Sequence, residues 1–492
     1  MKFKLAITLG LIGLVSMSIG LAMWLGFMPK LVHNRIANEL YISNTSNGDI
    51  FDTFRTTPNG TIRYSIYFFV IDDLTKFDLM NINTIKFKEI GPYVFDEIKI
   101  KEQIEFNADG TNVSYLERRK FEFNQKLSCE KCHRNDEITV YNIIHAMEQE
   151  QLDQTIKMAI AAKDDELLNS LTGFIYKDEV EKLLITGSEN LGKSILGEQD
   201  LNKCVINTGK EEIDRLTEFL SYGDKSRLTY WDDSRGKHCN TLLGTDARQF
   251  KPGLTKDDKI WVFEPMLCRS LYAVNEILPN EDVKDIPTLR FVIHHNNFDR
   301  NIMNECYCYE KDPRECMGSL LNLKKCDSSS GFEIMASPGF FYTNTKLLNI
   351  TGLDRIVKPE QATVDDYGTI FDIEPHTGIL LRGEKRLMLS VKVRKHAVPK
   401  LAKLSSEYQI APFIYLIEVW LINIHFMFRS NLFLSLFFLC SLIRKSGEID
   451  DENADRLKEK LKPIKILRGV FIGLTVIGCA MILISIIIFA SR

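Results

Sequence analysis

The chain has 492 residues, a formal net charge of −4, 45% hydrophobic and 26% charged residues. That balance excludes a disordered or low-complexity chain, and the absence of clustered basic surface argues against a nucleic-acid partner. A length of this order leaves room for a substantial globular core.

The first element in chain order is an uninterrupted apolar run, Leu5 to Met28, matched near the other end by Gly469 to Ala490. Each is long enough to cross the roughly 30 Å hydrocarbon layer as a helix. A cleavable signal peptide has an apolar core of about 7–15 residues. The first run is longer and ends in Gly26-Phe-Met-Pro-Lys30, so it reads as a retained span. Lys2 and Lys4 before it and Arg492 after the second run place both tips in the cytosol, although Lys30, Lys465 and Arg468 make the opposite flanks basic too. Asn44, Asn59, Asn112 and Asn349 carry the Asn-x-Ser/Thr acceptor pattern, and all lie between the runs, which supports a hairpin topology with a glycosylated ectodomain.

From about Thr61 to Asn124 the chain reads as strands: Thr61 to Ile71, Ile98 to Phe106 and Val113 to Phe123, with Asn107-Ala-Asp-Gly110 as a turn. Cys129-Glu-Lys-Cys132-His133 follows. Two thiolates at that spacing would supply half of a tetrahedral zinc site, but no second half is present, so an extra disulfide or an exposed pair is the better reading. From about Glu137 to Tyr222 the pattern is helical, with Leu152, Ile156 and Ile160 at i, i+4 spacing. Gly187 to Ser194 fits G-x-x-x-x-G-K-[ST], and Glu181 to Thr186 before it could be a strand. A phosphate loop needs a parallel sheet behind it. No βαβ alternation follows, so this reads as a turn between helices.

Six cysteines, Cys239, Cys268, Cys306, Cys308, Cys316 and Cys326, crowd one interval and read as a disulfide framework in an oxidising compartment. Sequence alone leaves about fifteen pairings for six cysteines. Cys129, Cys132 and Cys204 stand outside that interval, and one of the nine must pair elsewhere or stay free. Strands return from Lys259 to about Val393, including Arg290 to His294 and Arg386 to Val393. His294-His295 reads as a strand end rather than a metal pair. No H-E-x-x-H and no G-x-S-x-G occurs, so the reading is a non-enzyme with no cofactor and no metal. Without repeats or low-complexity linkers, the region between the runs reads as one α+β unit with a helical subdomain inserted into a sheet or barrel.

Several motifs in register then carry a resemblance: Glu89-Ile-Gly-Pro-Tyr-Val-Phe95, Cys239-Asn-Thr-Leu-Leu-Gly-Thr-Asp246 with Phe250 and Pro252, Cys268-Arg-Ser270, and Phe371-Asp-Ile-Glu-Pro-His-Thr-Gly378 with Lys385-Arg-Leu387. In this order, and nearly end to end, the chain resembles the class B scavenger receptor family. The resemblance implies a large ectodomain with an antiparallel β-barrel core, a helical apex and an apolar tunnel towards the membrane, anchored by two transmembrane helices. It also implies the pairings Cys239–Cys306, Cys268–Cys326 and Cys308–Cys316, and structural roles for Gly244-Thr-Asp246 and Arg269. The organisation expected is a tail 1–4, a span 5–28, an ectodomain 29–468 with its apex at about 137–222, a span 469–490 and a tail 491–492.

Departures from that pattern matter. Ser337-Pro-Gly-Phe340 stands where relatives are expected to have Pro-His-Phe. The apex, where a basic helix surface would gather anionic particles, has two lysines, Lys157 and Lys163, against six acids between Glu148 and Glu166. That balance repels polyanions. Lys157 and Lys163 are the candidate ligand contacts. Residues of about Val419 to Lys445 have no counterpart in the pattern. As a third span they would place Asn423, His425, Arg429 and Asn431 at cost in lipid. A membrane-dipping hairpin and a translated stretch that should have been spliced out are the other readings, and flanks that read as continuous favour the last.

The expected function is a plasma-membrane lipid receptor or transporter for lipids, fatty acids, sterol esters or lipoprotein-like particles, with the membrane itself as partner. A chemosensory co-receptor, a lysosomal sorting receptor and an adhesion or protein-binding ectodomain are the alternatives, the last with a protein partner at the apex. Tails as short as Met1 to Lys4 and Ser491-Arg492 leave no room for a conventional dileucine signal.

Overall fold

A computed structural model describes residues 2–27, 48–57, 62–71, 87–142, 149–165, 175–187, 194–197, 201–275, 277–310, 318–326, 334–337, 363–394, 408–421 and 451–490, with a few isolated residues between. In chain order the described strands are β1 (Ile62–Ile71), β2 (Phe87–Phe106), β3 (Asn112–Phe123), β4 (Glu137–Tyr141), β5 (Ile175–Glu179), β6 (Lys203–Asn207), β7 (Phe219–Tyr222), β8 (Ile260–Glu264) and β9 (Arg269–Val274). They continue with β10 (Asp282–Val283), β11 (Ile286–Pro287), β12 (Leu289–Ile293), β13 (Leu321–Asn322), β14 (Ile334–Ser337), β15 (Ile370–Glu374), β16 (Ile379–Arg394) and β17 (Tyr408–Leu421).

The main sheet runs β7-β6-β3-β2-β1-β17-β16-β15-β12-β9-β8, with β14 and β13 attached beside β16. Neighbours along it are antiparallel. Its two edges are drawn together by one segment. Phe219 N–H on β7 donates to Gly244 O at 2.9 Å, and Phe263 N–H on β8 donates to Thr245 O at 2.9 Å. The sheet therefore curls into a nearly closed barrel, which removes the exposed edges that would invite aggregation. Gly244 has φ +86°, and a Cβ there would lie 2.1 Å from Trp261 O, so glycine is required for this close crossing.

The expected strands are present, and several extend further. The Glu89–Phe95 motif merges with the Ile98–Phe106 strand into the 20-residue β2. Asn107 anchors the following turn, its Oδ1 accepting from Asn112 N–H at 2.9 Å. β17 continues past Leu416, pairing Val419 and Trp420 with Arg63 and Ile62 on β1. The first residues of the unmatched segment, Val419 to Leu421, therefore belong to the barrel ladder. Residues 422–450, the bulk of it, lie outside the described residues.

The helical reading of 137–222 needs correction. Among the described residues, helix there is limited to α-helical Gln149–Ala162, a π-helical turn, Lys182–Thr186, and a short 3-10 turn, Ile213–Arg215. β4 and β5 pair with each other, and β6 and β7 join the main sheet. Ile138 and Val140 alternate inward on β4, and Ile206 does so on β6. These branched side chains favour the pleated sheet over a helix. Ile160 is 59% exposed although Ile156 packs inward, because the buried stripe turns through Ala159 instead.

In order of appearance the described α-helices are α1 (Lys2–Ala22), α2 (Gly48–Arg55), α3 (Gln149–Ala162), α4 (Val364–Tyr367) and α5 (Asp451–Ala490). The apolar spans are Ala6–Phe27 and Gly469–Ala490. They pack against each other antiparallel. A Cβ on Gly13 would meet Gly478 O at 2.7 Å, one on Gly20 would meet Thr475 Oγ1 at 2.4 Å, and Ser485 Oγ donates to Ala6 O at 2.7 Å. Small residues thus bring the backbones into contact, as membrane helices without a hydrophobic drive require. At 40 residues α5 is roughly 60 Å long, so it continues above the span as a stalk whose Lys458 pairs with Asp285 at 3.0 Å.

Cystine bridges fasten the connections. The structure joins Cys239–Cys306, Cys268–Cys326, Cys308–Cys316 and also Cys129–Cys132. Cys204 is a buried free thiol, and the Cys268 carbonyl accepts from Trp231 Nε1 at 2.7 Å. Arg269 is buried with its guanidinium 3.5 Å from the Tyr307 ring centroid, a packing role.

Candidate functional site

Inside the barrel lies a cavity of about 910 Å³, near the upper end of the roughly 300–1,000 Å³ typical of ligand sites. Its aromatic and apolar wall includes Phe121, Phe219, Phe263, Met266 and Trp420. The resemblance implies an apolar tunnel, whereas this chamber is amphipathic. The reason is strand alternation: residues two apart point to the same face. On β2 that face carries Glu97, Lys99 and Lys101, and on β3 it carries Glu117 and Arg119, joined by Lys385 from β16, Glu418 from β17 and Glu264 from β8.

These charges form one network. Lys385 Nζ lies 2.7 Å from Glu264 Oε2 and 2.5 Å from Glu418 Oε2. Arg119 pairs with Glu97 through Nε and donates from Nη2 to Tyr64 Oη at 2.7 Å. Arg248 donates from Nε to Asp246 Oδ2 at 2.9 Å and lies 3.5 Å from Glu117 Oε2, which is also 3.5 Å from Lys101 Nζ. Lys99 Nζ is arranged differently. It sits 3.8 Å from Glu97 Oε2, 3.8 Å from Glu418 Oε1 and 4.0 Å from Glu117 Oε1, with the Trp420 ring 4.7 Å away. Five carboxylates, Glu97, Glu117, Asp246, Glu264 and Glu418, thus face five cations, Lys99, Lys101, Arg119, Arg248 and Lys385, and the cluster is neutral as a whole.

Buried charges persist only when paired. Burial alone would raise the Glu418 carboxyl, but Lys385, then Lys99 and Arg119, outweigh it and hold it at about 2. Burial would lower Lys385, and Glu264 and Glu418 instead push it well above the usual lysine range. Asp246 goes the other way: burial, then the Glu117 carboxylate, push it up to about 6. Burial also raises the Cys204 thiol, which keeps it protonated and unreactive.

Other candidates are placed as follows. Lys157 is exposed on α3, and Lys163 is exposed just beyond its end in the left-handed region at φ 55°. Asn44 is exposed and Asn112 half-buried on β3, while Asn59 and Asn349 lie outside the described residues, as do Pro338, Gly339 and Phe340. The segment before Gly187, which could have been the strand of a phosphate loop, is the π-helical turn Lys182–Thr186, and the sheets around it are antiparallel, so the described residues give a phosphate loop no parallel sheet. Residues 188–193 lie outside them. His238, Cys239 and Cys306 come together with metal-like spacing, but the two sulfurs are bonded to each other and offer no thiolate. The chamber charges escaped the sequence reading. Their one signal is period-2 placement, Glu97-x-Lys99-x-Lys101 and Glu117-x-Arg119, which looks like a solvated strand face.

Residues 11–489 match the CD36 family. Lysosome membrane protein 2 of Homo sapiens is 27% identical over 382 residues, covering 74% of this chain and 76% of that protein. Sensory neuron membrane protein 2 of Ostrinia furnacalis is 25% identical over 448 residues, covering 81% and 82%. Scavenger receptor class B member 1 of Sus scrofa is 23% identical, covering 80% and 76%.

Proposed function

Because the chain belongs to the CD36 family, we propose that it is a membrane-tethered receptor that takes a lipid into the barrel chamber and passes it towards the bilayer. The observation that carries this reading is a cavity of about 910 Å³ enclosed in a barrel whose chain continues into two packed apolar helices. Each CH₂ of a lipid tail gains about 0.8 kcal/mol on leaving water, so an enclosed aromatic wall can accept a tail from a particle without a covalent step. Two spans hold the barrel close to the lipid surface at both ends of its chain.

The same reading places the protein in the plasma membrane with both tails cytosolic and glycans on Asn44, Asn59, Asn112 and Asn349. Antiparallel packing of the spans supports tails on one side of the bilayer. Lipids, fatty acids, sterol esters or lipoprotein-like particles are the ligand classes. A second reading, a protein partner at the apex, is favoured by Met158 and Ile160, which are 62% and 59% exposed on α3 beside Lys157.

The test is to purify the full chain with its cystines intact and identify co-purifying lipid by mass spectrometry, beside Leu201→Trp, which fills the chamber from a half-open position in its lining. The expected result is a bound lipid of one chemical class that Leu201→Trp depletes. A folded protein without lipid would move the assignment to protein binding.

A further inference from the structure

Resting on the lipid-chamber reading, we propose that the chamber sorts its ligands by head group, favouring lipids whose head is an uncharged hydrogen-bond acceptor over free fatty acids and over amines. The site of selection is Lys99. Its ammonium is part of the chamber lining, and among the described residues its Nζ donates no hydrogen bond, since the three surrounding carboxylates stand at 3.8–4.0 Å. An ammonium in that position has N–H donors to offer to whatever enters.

What stands behind Lys99 decides which acceptor it takes. Glu97 and Glu418 are 0% and 1% exposed, and Glu97 Oε2 and Glu418 Oε1, the oxygens nearest Lys99, receive no hydrogen bond. The positive charge of Lys99 is therefore already met by negative charge. An ionised carboxylate head at Lys99 would bring a fourth carboxylate to the three present, two of which, Glu97 and Glu418, are buried away from screening water. An alkylammonium head would meet Lys99 itself, with Lys385 beyond it. A hydroxyl or an ester carbonyl accepts from Lys99 and adds no charge. Trp420, stacked 4.7 Å from the ammonium, and Phe121 then offer apolar wall to the chain that follows the head.

The test is a competition series on the full chain in lipid nanodiscs at mildly alkaline pH, with oleyl alcohol, methyl oleate, oleate and oleylamine displacing a fluorescent alkyl probe. Oleyl alcohol and methyl oleate are expected to compete at about tenfold lower concentration than oleate or oleylamine. Glu117→Gln removes one carboxylate beside Lys99 at a partly open position, and it should shift the ranking towards oleate. Lys99→Met should weaken the alcohol and strengthen the amine. Equal or tighter binding of oleate to the unaltered chain overturns the head-group rule while leaving a lipid chamber in place. Failure of every member, and of the probe, to bind the folded protein overturns the lipid reading and the rule with it.

Discussion

Asp246 sits where the Cys239–Asp246 segment crosses between the two edges of the barrel, buried beside Glu117 and held by Arg248. Its carboxyl is pushed from an ordinary 3.8 up to about 6 in the fold. A raised carboxyl contributes stability that is complete below the unfolded value and is lost as pH rises through the folded one. Glu418, held at about 2, does not titrate in that window. Thermal unfolding of the full chain should therefore move to higher temperature between pH 7 and pH 5, and Asp246→Asn should reduce that dependence, leaving the part carried by Asp372, which burial likewise pushes up to about 6, as differential scanning would record. Two residues earlier, Gly244→Ala puts a Cβ 2.1 Å from Trp261 O at a positive φ, which should cost about 2–4 kcal/mol and lower the yield of folded protein. The structural role of Gly244-Thr-Asp246 was legible from the motif. The chamber charges were not, because a strand bearing Glu97, Lys99 and Lys101 has the same pattern whether its polar face meets water or a mutually neutralising set of partners across a barrel.

At the scale of elements, the two spans are more than separate anchors. Cys479 Sγ lies 3.5 Å from Met17 Sδ, so Met17→Cys should form an oxidant-induced bond with Cys479, seen as an intrachain cross-link after cleavage of the ectodomain. Gly13→Leu, placed against Gly478, should abolish it. If Met17→Cys fails to cross-link in the unaltered background, the spans do not pack as described. Length and composition suffice to mark both apolar helices as long enough to cross a bilayer. They do not show the contact between the helices, which depends on glycines facing each other across nearly the full length of the chain. Strand positions are likewise readable from alternation, whereas β4 to β7 lie in a stretch whose pattern reads as helical. Short strands of about five residues bounded by long connections carry too little periodicity to outweigh a true helix such as α3 among them.

For the molecule as a whole, the order of the sheet joins β1 near the start to β17 near the end, so the barrel closes only when the chain between them has been laid down. That long-range pairing is invisible in local pattern. The resemblance implied a barrel core and the pairings of the six clustered cysteines, but not which strands meet to close the barrel. For Cys129 and Cys132, read as an extra disulfide or an exposed pair, the structure selects the disulfide, and it makes Cys204 the free thiol. A barrel built by elements from both ends of the chain and lined by an amphipathic chamber is the physical basis of the proposed lipid-handling role.

The most direct measurement of that role is quenching of Trp420, which lines the chamber, by a lipid with a brominated acyl chain. With Trp24 in the first span replaced by Phe, a brominated lipid supplied at one equivalent should quench part of the remaining emission, and Trp420→Phe should remove that part. Emission from Trp420 that stays unchanged while the lipid demonstrably binds the protein would place the ligand outside the barrel and contradict the account.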